Sequence, residues 1–551
     1  MRLFLCLLFL PAALAFGQTD SVIVSGQVRR LSAKLYRQSP QVVVGRTLVF
    51  RANTVQNFPG LLQPDGRFRV AVPIIYLQEE MQFRVGNAQI NFLASAGSLT
   101  VELDNDSLYV AAVPFRFGGV NAQVNQQFAQ FKAFDAAQKT DEGTVKRAIR
   151  RAVNGPIDDT YSTLYQVFTA SLTQFSASQS VFPLVRDWVQ TNARNDAAAY
   201  VFDKAVQEQR TLAASQFRPL LTGTDALLTA SRATALSRLG AYASWLVARQ
   251  TAANRNVPVR TVAQLLTRYA NGLTPDDRAR LAVFGQTNAA KVSELRYLAR
   301  LLERNTDTIS RLLTYETALL AARPFFDTLS LDYLKGYSLA SATQTGTLAQ
   351  VGLFGNHITP QIGNTYLRRS AADLAGQALQ DTALVRQAWA TYLALEKKPG
   401  INSGFVSEGV YVYTGTNRPG AALLRHAVDE NRGKVLYMVL WSATDEAGQQ
   451  LAREAQPLRD VFGPRDLTTL YVSLGDDNDD KRWLETIVRN RLRGEHVRLS
   501  NEQANASDTY LNLENPLPVR LFGPQGKLYR KEPATPNEFS KLVSQIQELL
   551  R

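Results

Sequence analysis

The sequence predicts a multidomain chain with an N-terminal β-sandwich, an α-helical middle and a C-terminal α/β domain. The prediction rests on how the hydrophobic pattern changes along the 551 residues. Apolar residues alternate in short runs over residues 20–119, recur at helical spacing over 120–398, and form alternating strand and helix patterns over 405–551. These three ranges are the predicted domains.

Two stretches carry the strand prediction for the first domain. In residues 66–72, Phe68, Val70 and Val72 alternate with arginines, and residues 99–104 alternate apolar and polar side chains in the same way. Pro64, Asp65 and Gly66 form a turn sequence at the start of the first stretch. Several short strands separated by turns are typical of a small β-sandwich.

The helical middle has a clear helix start and an apolar stripe. Thr274 can cap a helix, a proline follows at the first helical position, and two acids follow the proline. Val292, Leu295, Leu298 and Leu302 then recur at helical spacing. Such a stripe predicts core packing rather than a ligand site, and we find no repeat regular enough for a solenoid.

The last domain begins after the sequence Lys-Lys-Pro-Gly at 397–400, which interrupts helical structure. Strands are predicted at 410–413, 435–440, 467–474 and 519–522, and helices after Trp441, around 483–492 and from Thr535 onward. Strands that alternate with helices imply a partly parallel sheet covered by helices.

The N-terminus predicts export. Met1-Arg2, an apolar run at 3–10 and small residues at 11–15 have the layout of a secretory signal peptide, expected over residues 1–17. The run is too short for a membrane span of about 20 residues. We expect the protein in the periplasm or cell envelope after cleavage. The only cysteine, Cys6, lies in this segment, so cleavage would remove the thiolate that thiol–disulfide exchange requires.

The net charge of +13 raises the question of anionic partners. The basic residues are scattered, and the densest run, at 146–151, has no interleaved aromatic residues. A basic soluble surface is therefore favoured, with an anionic glycan or lipid surface as the weaker alternative. No nucleic-acid partner is expected.

Several ordered motifs between residues 433 and 551 resemble one family. Residues 433–441, GKVLYMVLW, resemble the "GKvvyldFW" strand of the TlpA-like thiol–disulfide oxidoreductases, especially the multidomain forms that Bacteroidota export. Residues 471–484 resemble the family's "isvDed…kW" segment, and 523–527 its following hairpin. Pro518 stands where the family carries a cis-proline beside the active site. The resemblance implies a thioredoxin-like fold for the C-terminal domain. Two further stretches, 95–101 and 117–122, resemble the β-domain fused ahead of such thioredoxin domains.

The family's two cysteines are missing. Counted from Trp441, their positions are held by Asp445 and Gly448. Counted back from Pro457, which corresponds to the family's helix-kinking proline in this register, they fall at Gln449 and Ala452. Both registers stay open, and neither contains sulfur.

The same stretch satisfies the requirements of a helix start. Thr444 can cap, and Asp445 and Glu446 place negative charge at the helix N-terminus. We therefore expect the fold without its redox chemistry: a non-catalytic binding or scaffold protein whose partner is an envelope protein or peptide. The alternative is a member of the oxidoreductase family that retains some redox-related role.

Other chemistry finds little support in the sequence. His357, His426 and His496 lack zinc-site spacing, so no metal is expected. The acids at 476–480 are spaced as in a calcium loop but lack its glycine and final glutamate. Residues 523–527 lack the spacing of a phosphate loop, and there is no Gly-x-Ser-x-Gly motif. Asp445 and Glu446 are adjacent, so on a helix they point apart, which argues against an acid/base pair. We expect no cofactor and no catalytic residues.

Overall fold

The structure is a computed structural model of the chain. It describes residues 21–31, 36, 41–86, 88–138, 142–213, 226–249, 257–287, 291–415, 419–475, 480–514, 517–529 and 532–550. The predicted signal peptide with Cys6 and the acids at 476–479 lie outside the described residues. The chain divides into two compact units, one comprising the residues up to 340 with 357–372, the other 341–356 with 373–551.

The N-terminal part of the first unit contains two β-sheets. The strands are β1 (Ser21–Arg29), β2 (Gln41–Leu48), β3 (Arg51–Leu61), β4 (Arg67–Pro73), β5 (Gln78–Val85), β6 (Ala88–Ala94), β7 (Gly97–Asp104), β8 (Phe115–Gly119) and β9 (Leu227–Leu228). One sheet has the strand order β4-β1-β7-β8; the other has the order β3-β2-β5-β6, and the short strand β9 pairs with β5.

These two sheets share one apolar core. Val24 of β1 and Leu99 of β7 lie in it together with Val44 of β2, and all three side chains are fully buried. The rings of Phe68 and Phe83, one from each sheet, have centroids 5.1 Å apart. Strands β4 and β7 bury alternate residues, as the sequence predicts.

The predicted turn before β4 depends on Gly66. Its φ is +83°, and a Cβ at this position would lie 2.1 Å from the carbonyl oxygen of Val28. Only glycine adopts this conformation at so close an approach without strain.

Twelve helices of the described residues lie between strand β8 of the first unit and the strands of the second unit, and the last three include residues of both units. They are α1 (Ala122–Gln138), α2 (Glu142–Asn154), α3 (Ile157–Ser178), α4 (Pro183–Gln207), α5 (Ala230–Ala248), α6 (Val259–Tyr269), α7 (Pro275–Phe284), α8 (Val292–Arg304), α9 (Thr306–Ala322), α10 (Thr328–Thr345), α11 (Leu348–Ile358) and α12 (Thr365–Glu396). The division between the units falls within helices α10 to α12. None of the helices in the described part of the chain is long and apolar enough to cross a membrane.

The predicted helix start at Thr274 is observed, but the predicted apolar stripe after it is only half correct. Thr274 and Asp277 form a capping box at the start of α7. In α8, Leu298 is buried, whereas Val292 and Leu295 are 66% and 47% exposed. Leu301 is buried as well, so the buried residues of α8 lie in its second half.

The second unit is built around a six-stranded sheet. The strands are β10 (Asn402–Ser407), β11 (Val410–Thr414), β12 (Val435–Trp441), β13 (Leu467–Leu474), β14 (Gly494–Leu499) and β15 (Val519–Phe522). Their order is β10-β11-β14-β13-β12-β15. Strands β11, β14, β13 and β12 are parallel, and the edge strands β10 and β15 run antiparallel to their neighbours. The helices are α13 (Gly420–Glu430), α14 (Glu446–Glu454), α15 (Leu458–Val461), α16 (Asp480–Arg489), α17 (Asn501–Asn505), α18 (Asp508–Leu511) and α19 (Phe539–Leu549).

Strand β12 is buried on both faces, as a central strand of a parallel sheet should be. One face, with Tyr437 and Val439, packs on a core to which α14, α16 and α19 contribute. The other face, with Leu436 and Met438, packs on a core to which α13, α17 and α18 contribute.

The second unit also includes helical residues that the sequence analysis assigned to the middle domain. Val385, Ala388 and Tyr392 of α12 lie in the same apolar core as Trp483 of α16, and the Tyr392 and Trp483 rings have centroids 5.8 Å apart. Helical periodicity cannot show which core an amphipathic helix covers, so residues 341–356 and 373–398 could not be placed from sequence alone.

A candidate binding face at the start of helix α14

The candidate site lies where β12 ends and α14 begins. In sheets of this kind, ligands bind beyond the carboxyl ends of the parallel strands. Trp441 is the last residue of β12 and is paired with Ser473 of β13. Its side chain is only 4% exposed and lies in the core of the unit. Among the described residues nothing accepts a hydrogen bond from its buried Nε1. Trp441 therefore supports this region from within and is not a contact residue.

Asp445 caps helix α14. Its backbone is extended, and its carboxylate accepts hydrogen bonds from the amides of Gly448 (2.7 Å) and Ala447 (3.4 Å). The negative side chain also lies at the positive end of the helix dipole. The sequence analysis expected Thr444 to cap. That expectation was wrong, since the Thr444 hydroxyl instead exchanges a hydrogen bond with Ser442 at 2.9 Å. Asp445 is the cap because it immediately precedes α14, so its side chain reaches the amides of the first turn.

The structure brings positions 445 and 448 close together. A Cβ added to Gly448 would lie 3.1 Å from Asp445 Oδ2 and 3.0 Å from the Ser442 backbone nitrogen. These two positions, counted from Trp441, thus meet at the exposed start of the helix.

The other pair of positions, counted back from Pro457, lies in the interior. Gln449 is 4% exposed and donates a hydrogen bond to the carbonyl of Ala443 at 2.8 Å. Ala452 is fully buried in the core. This pair is one turn further along α14 and does not reach the surface.

Pro518 borders the same strand end. Its carbonyl accepts a hydrogen bond from Leu440 N at 2.8 Å, while a Cβ added to Gly448 would lie 3.5 Å from the Cα of Trp441. Because Leu440 and Trp441 are consecutive, the start of α14 and Pro518 flank one end of β12.

The expectation of a cis peptide bond at Pro518 is not met. No peptide bond among the described residues is cis, so the Leu517–Pro518 bond is trans. A trans bond is the more stable form before proline, and it is compatible here with the hydrogen bond from Leu440 to Pro518.

Arg520 fixes the loop that carries Pro518, and the sequence analysis did not identify it. The side chain is only 2% exposed. Its guanidinium donates to the carbonyls of Asn512 (2.6 Å) and Val519 (2.7 Å), and also to those of Leu511 and Leu517. Burial lowers the pKa of Arg520. An arginine within the apolar strand Val-Arg-Leu-Phe was the available signal in the sequence.

We define the α14 face by the accessible residues around this strand end. Thr444, Asp445, Glu446 and Ala447 are exposed, and Ser442, Leu517 and Pro518 are half-buried. The face combines hydroxyls and carboxylates with three apolar side chains, those of Ala447, Leu517 and Pro518, which suits hydrogen bonding and apolar contact with a partner. It contains no thiol. In the described part of the chain no group of three or more His, Cys, Asp or Glu side chains is placed to hold a metal ion.

The three histidines lie in separate places. His357 bonds Glu316 (Nε2–Oε1 2.8 Å) in the first unit, whereas His426 of the second unit lies 3.2 Å from Glu430. His496 is fully buried in β14, and burial lowers its pKa to about 3. Of the acidic run after β13, Asp480 is described, and it begins α16 and pairs with Arg498.

Comparison with known proteins gives two matches among solved structures. One is the solution structure of a proposed thiol-disulfide oxidoreductase from Bacteroides vulgatus, with 20% identity, a TM-score of 0.20, and coverage of 22% of this chain and 78% of that chain. The other is the thioredoxin domain of a thiol-disulfide oxidoreductase from the same organism, with 17% identity, a TM-score of 0.19, and coverage of 22% and 84%. No protein-family model and no curated protein matches the chain.

The strand order of the second unit describes its fold without reference to these matches. Parallel β12 and β13 are joined through α14, and antiparallel β15 pairs with β12 beside a proline. A short hairpin follows at Gly523–Lys527, where the Gly523 amide bonds the Lys527 carbonyl at 3.0 Å. The second unit is thus a mostly parallel sheet covered by helices, the class of fold that the sequence resemblance implies for the last domain.

Proposed function

We propose that this protein is an exported, non-catalytic thioredoxin-like protein of the cell envelope, similar to the TlpA-like oxidoreductases but without their dithiol, and that it binds a protein or peptide partner. One observation carries the proposal. Asp445 and Gly448, which hold the two cysteine positions when these are counted from Trp441, meet at the exposed start of α14 and are joined there by a 2.7 Å hydrogen bond.

This arrangement replaces redox chemistry with a stable helix start. The helix N-terminus that stabilises a thiolate in a redox-active relative here stabilises a carboxylate. Attack on a disulfide requires a thiolate, and the only cysteine of the chain is Cys6. The face keeps its accessible polar and apolar groups, which supports a role in binding.

The partner is best sought with variants of accessible residues. Replacing buried Trp441 with alanine would cost about 3–5 kcal/mol of stability. Binding lost in that variant could therefore result from unfolding as well as from a lost contact. Exposed Ala447 and half-buried Pro518 are better positions. Ser540, exposed on α19, provides a control for the same change of charge outside the α14 face.

The experiment is affinity capture from an envelope extract with the mature chain as bait. The recovered amount of each specific wild-type partner should fall at least tenfold with Ala447→Arg and with Pro518→Ala. It should be unchanged with Ser540→Arg. Partners that are retained by both face variants would place the binding surface elsewhere and contradict the proposal.

The alternative is an oxidoreductase-family protein with a redox-related role. It rests on the sequence resemblance between residues 433 and 551. A thiol-reduction assay separates it from the binding proposal, because non-catalytic binding requires no turnover.

A further inference from the structure

Helix α8 of the first unit presents a row of apolar side chains to solvent. Val292, Leu295 and Ala299 are exposed and follow one another at helical spacing, so they lie along one side of the helix. The sequence pattern predicts that the first two pack in a core, yet 66% and 47% of their surfaces are accessible. Single exposed apolar residues are common on proteins, whereas a row along one helix indicates a contact surface.

The opposite side of α8 holds the helix in place. Leu298 and Leu301 are buried. The ring of Tyr297 packs on Phe284 of α7 with centroids 6.3 Å apart, and its hydroxyl donates a hydrogen bond to Asp277. The apolar row is therefore carried by a helix whose other side is fixed by packing.

Two arginines accompany the apolar row. Arg296 and Arg300 are exposed on the same side of α8 and are one turn apart. Within the described part of the chain, neither guanidinium has an ion pair or a hydrogen-bond partner. Lys291 is exposed just before the helix, and Glu303 is exposed in its last turn. With three cations and one acid, this side of α8 carries a net positive charge.

Apolar side chains between unpaired arginines fit the surface of an anionic bilayer. Such a surface offers phosphate oxygens to the guanidinium groups and, just beneath them, acyl chains to the apolar side chains. An anionic glycan would bind the arginines but would leave the apolar row in water. A second copy of the chain would bring like charges together at this surface.

We propose that α8 is the element through which this protein contacts an anionic lipid surface, with the apolar row in the interface and the two arginines on lipid phosphates. The helix lies on the bilayer and does not cross it. Its 13 residues are about 20 Å long, whereas the hydrocarbon core is about 30 Å thick. The contact is separate from the α14 face and does not rest on the function proposed for that face.

The experiment is flotation of the full chain with vesicles of equal parts phosphatidylglycerol and phosphatidylcholine, and with vesicles of phosphatidylcholine alone. The wild type should bind the anionic vesicles at least about tenfold more tightly. Val292→Gln/Leu295→Gln should weaken this binding about tenfold, because less apolar surface leaves water on binding. Arg296→Gln/Arg300→Gln should weaken it roughly 25-fold, about fivefold for each arginine.

Two matched variants control for changes outside α8. Arg150→Gln/Arg151→Gln removes the same charge from α2, and Leu61→Gln/Val110→Gln removes two exposed apolar side chains elsewhere in the first unit. Both controls should bind within about twofold of the wild type, because charges beyond a Debye length from the lipid are screened.

All eight substituted side chains are exposed, and circular dichroism verifies that each variant is folded. If a double variant on α8 does not fold, the single changes Leu295→Gln and Arg300→Gln take its place. The proposal is overturned if the wild type does not bind anionic vesicles, or if the α8 variants bind as well as their controls. Binding that depends on the arginines but not on the apolar row would indicate an anionic polymer as the partner and would also overturn it.

Discussion

Asp445 is the residue on which the proposed loss of redox chemistry depends most directly. Its carboxylate reaches the amides of Ala447 and Gly448, which have no carbonyl partner within the helix. A cysteine at this position would have its sulfur near the same amides, which is how a helix N-terminus lowers a thiol pKa. In the register counted from Trp441, the proposal therefore places a capping carboxylate where a relative would carry a reactive thiol.

Removal of this cap should destabilise the protein. Asp445→Ala should lower the free energy of unfolding by about 1 kcal/mol, and Asp445→Asn by only a few tenths, because asparagine is also a good N-cap. Urea unfolding measures both values. Glu446→Ala is the control, because it removes a negative charge near the helix N-terminus and leaves the capping hydrogen bonds of Asp445 in place. It should change the free energy of unfolding by less than about 0.5 kcal/mol. An alanine variant as stable as the wild type would contradict the capping role.

His496 predicts a loss of stability in acid. The ring lies against Tyr471, its Nε2 bonds the Leu492 carbonyl at 2.8 Å, and burial together with nearby Arg459 lowers its pKa to about 3. The folded protein thus holds the neutral ring, whereas in the unfolded chain the ring titrates near pH 6.5. Its contribution is therefore complete above pH 6.5 and is lost as the pH falls toward 3.

Between pH 7.5 and 5, this one group should cost about 2 kcal/mol of stability. Unfolding measured across this range for the wild type and for His496→Gln should show a shallower pH dependence in the variant by that amount. Contributions from other groups occur in both proteins and cancel. Equal pH dependence would mean that the pKa of His496 is the same in the folded and the unfolded state, and would contradict the effect of burial.

At the scale of elements, strands and helices in the second unit could be predicted because local patterns specify them. The continuous apolar run of β12, the glycine hairpin after β15 and the capping box formed by Thr535 and Glu538 are all local signals. The role of Arg520 could not be predicted, since its carbonyl partners come together only after the loop has folded. The sequence also could not show which residue caps α14, because threonine and aspartate are both favoured N-cap residues and Thr444 and Asp445 are adjacent.

The geometry of α14 predicts that a dithiol can be restored at its start. In Asp445→Cys/Gly448→Cys, two thiols would face each other where Asp445 Oδ2 and the Gly448 Cβ position are 3.1 Å apart. The helix N-terminus should lower the pKa of the first thiol. We expect a reversible disulfide, measured by thiol labelling before and after reduction.

The matched variant is Gln449→Cys/Ala452→Cys on the same helix. Gln449 and Ala452 are buried, so these thiols should react slowly and give no surface disulfide. If this pair forms a disulfide and the first pair does not, the register counted from Trp441 is wrong by one turn of α14. If neither cysteine pair forms a disulfide, the start of α14 does not correspond to the dithiol site of the family.

For the whole molecule, the order of a strand-rich start, a helical middle and an α/β end could be predicted because each part has its own hydrophobic period. The division into two units could not. It depends on which core the second half of α12 covers, and Val385, Ala388 and Tyr392 look like any other apolar helix positions in the sequence.

The positive net charge gives a prediction at this scale. If the basic surface holds the protein to anionic glycan or lipid, binding to anionic vesicles should be strong at low salt and weaken steeply as salt is added. Exposed charges are screened beyond about 8 Å already at physiological ionic strength. Sedimentation with anionic and neutral vesicles measures this, and binding that is absent at low salt or insensitive to salt would exclude such a surface role.

The most direct test of the central claim is insulin reduction by the mature chain. The assay compares the wild type with Asp445→Cys/Gly448→Cys, in preparations free of host thioredoxin. We predict no turnover above the protein-free control for the wild type, because it has no thiolate, and weak turnover for the double variant. Turnover by the wild type would contradict the proposal of a thioredoxin-like protein that binds without thiol chemistry.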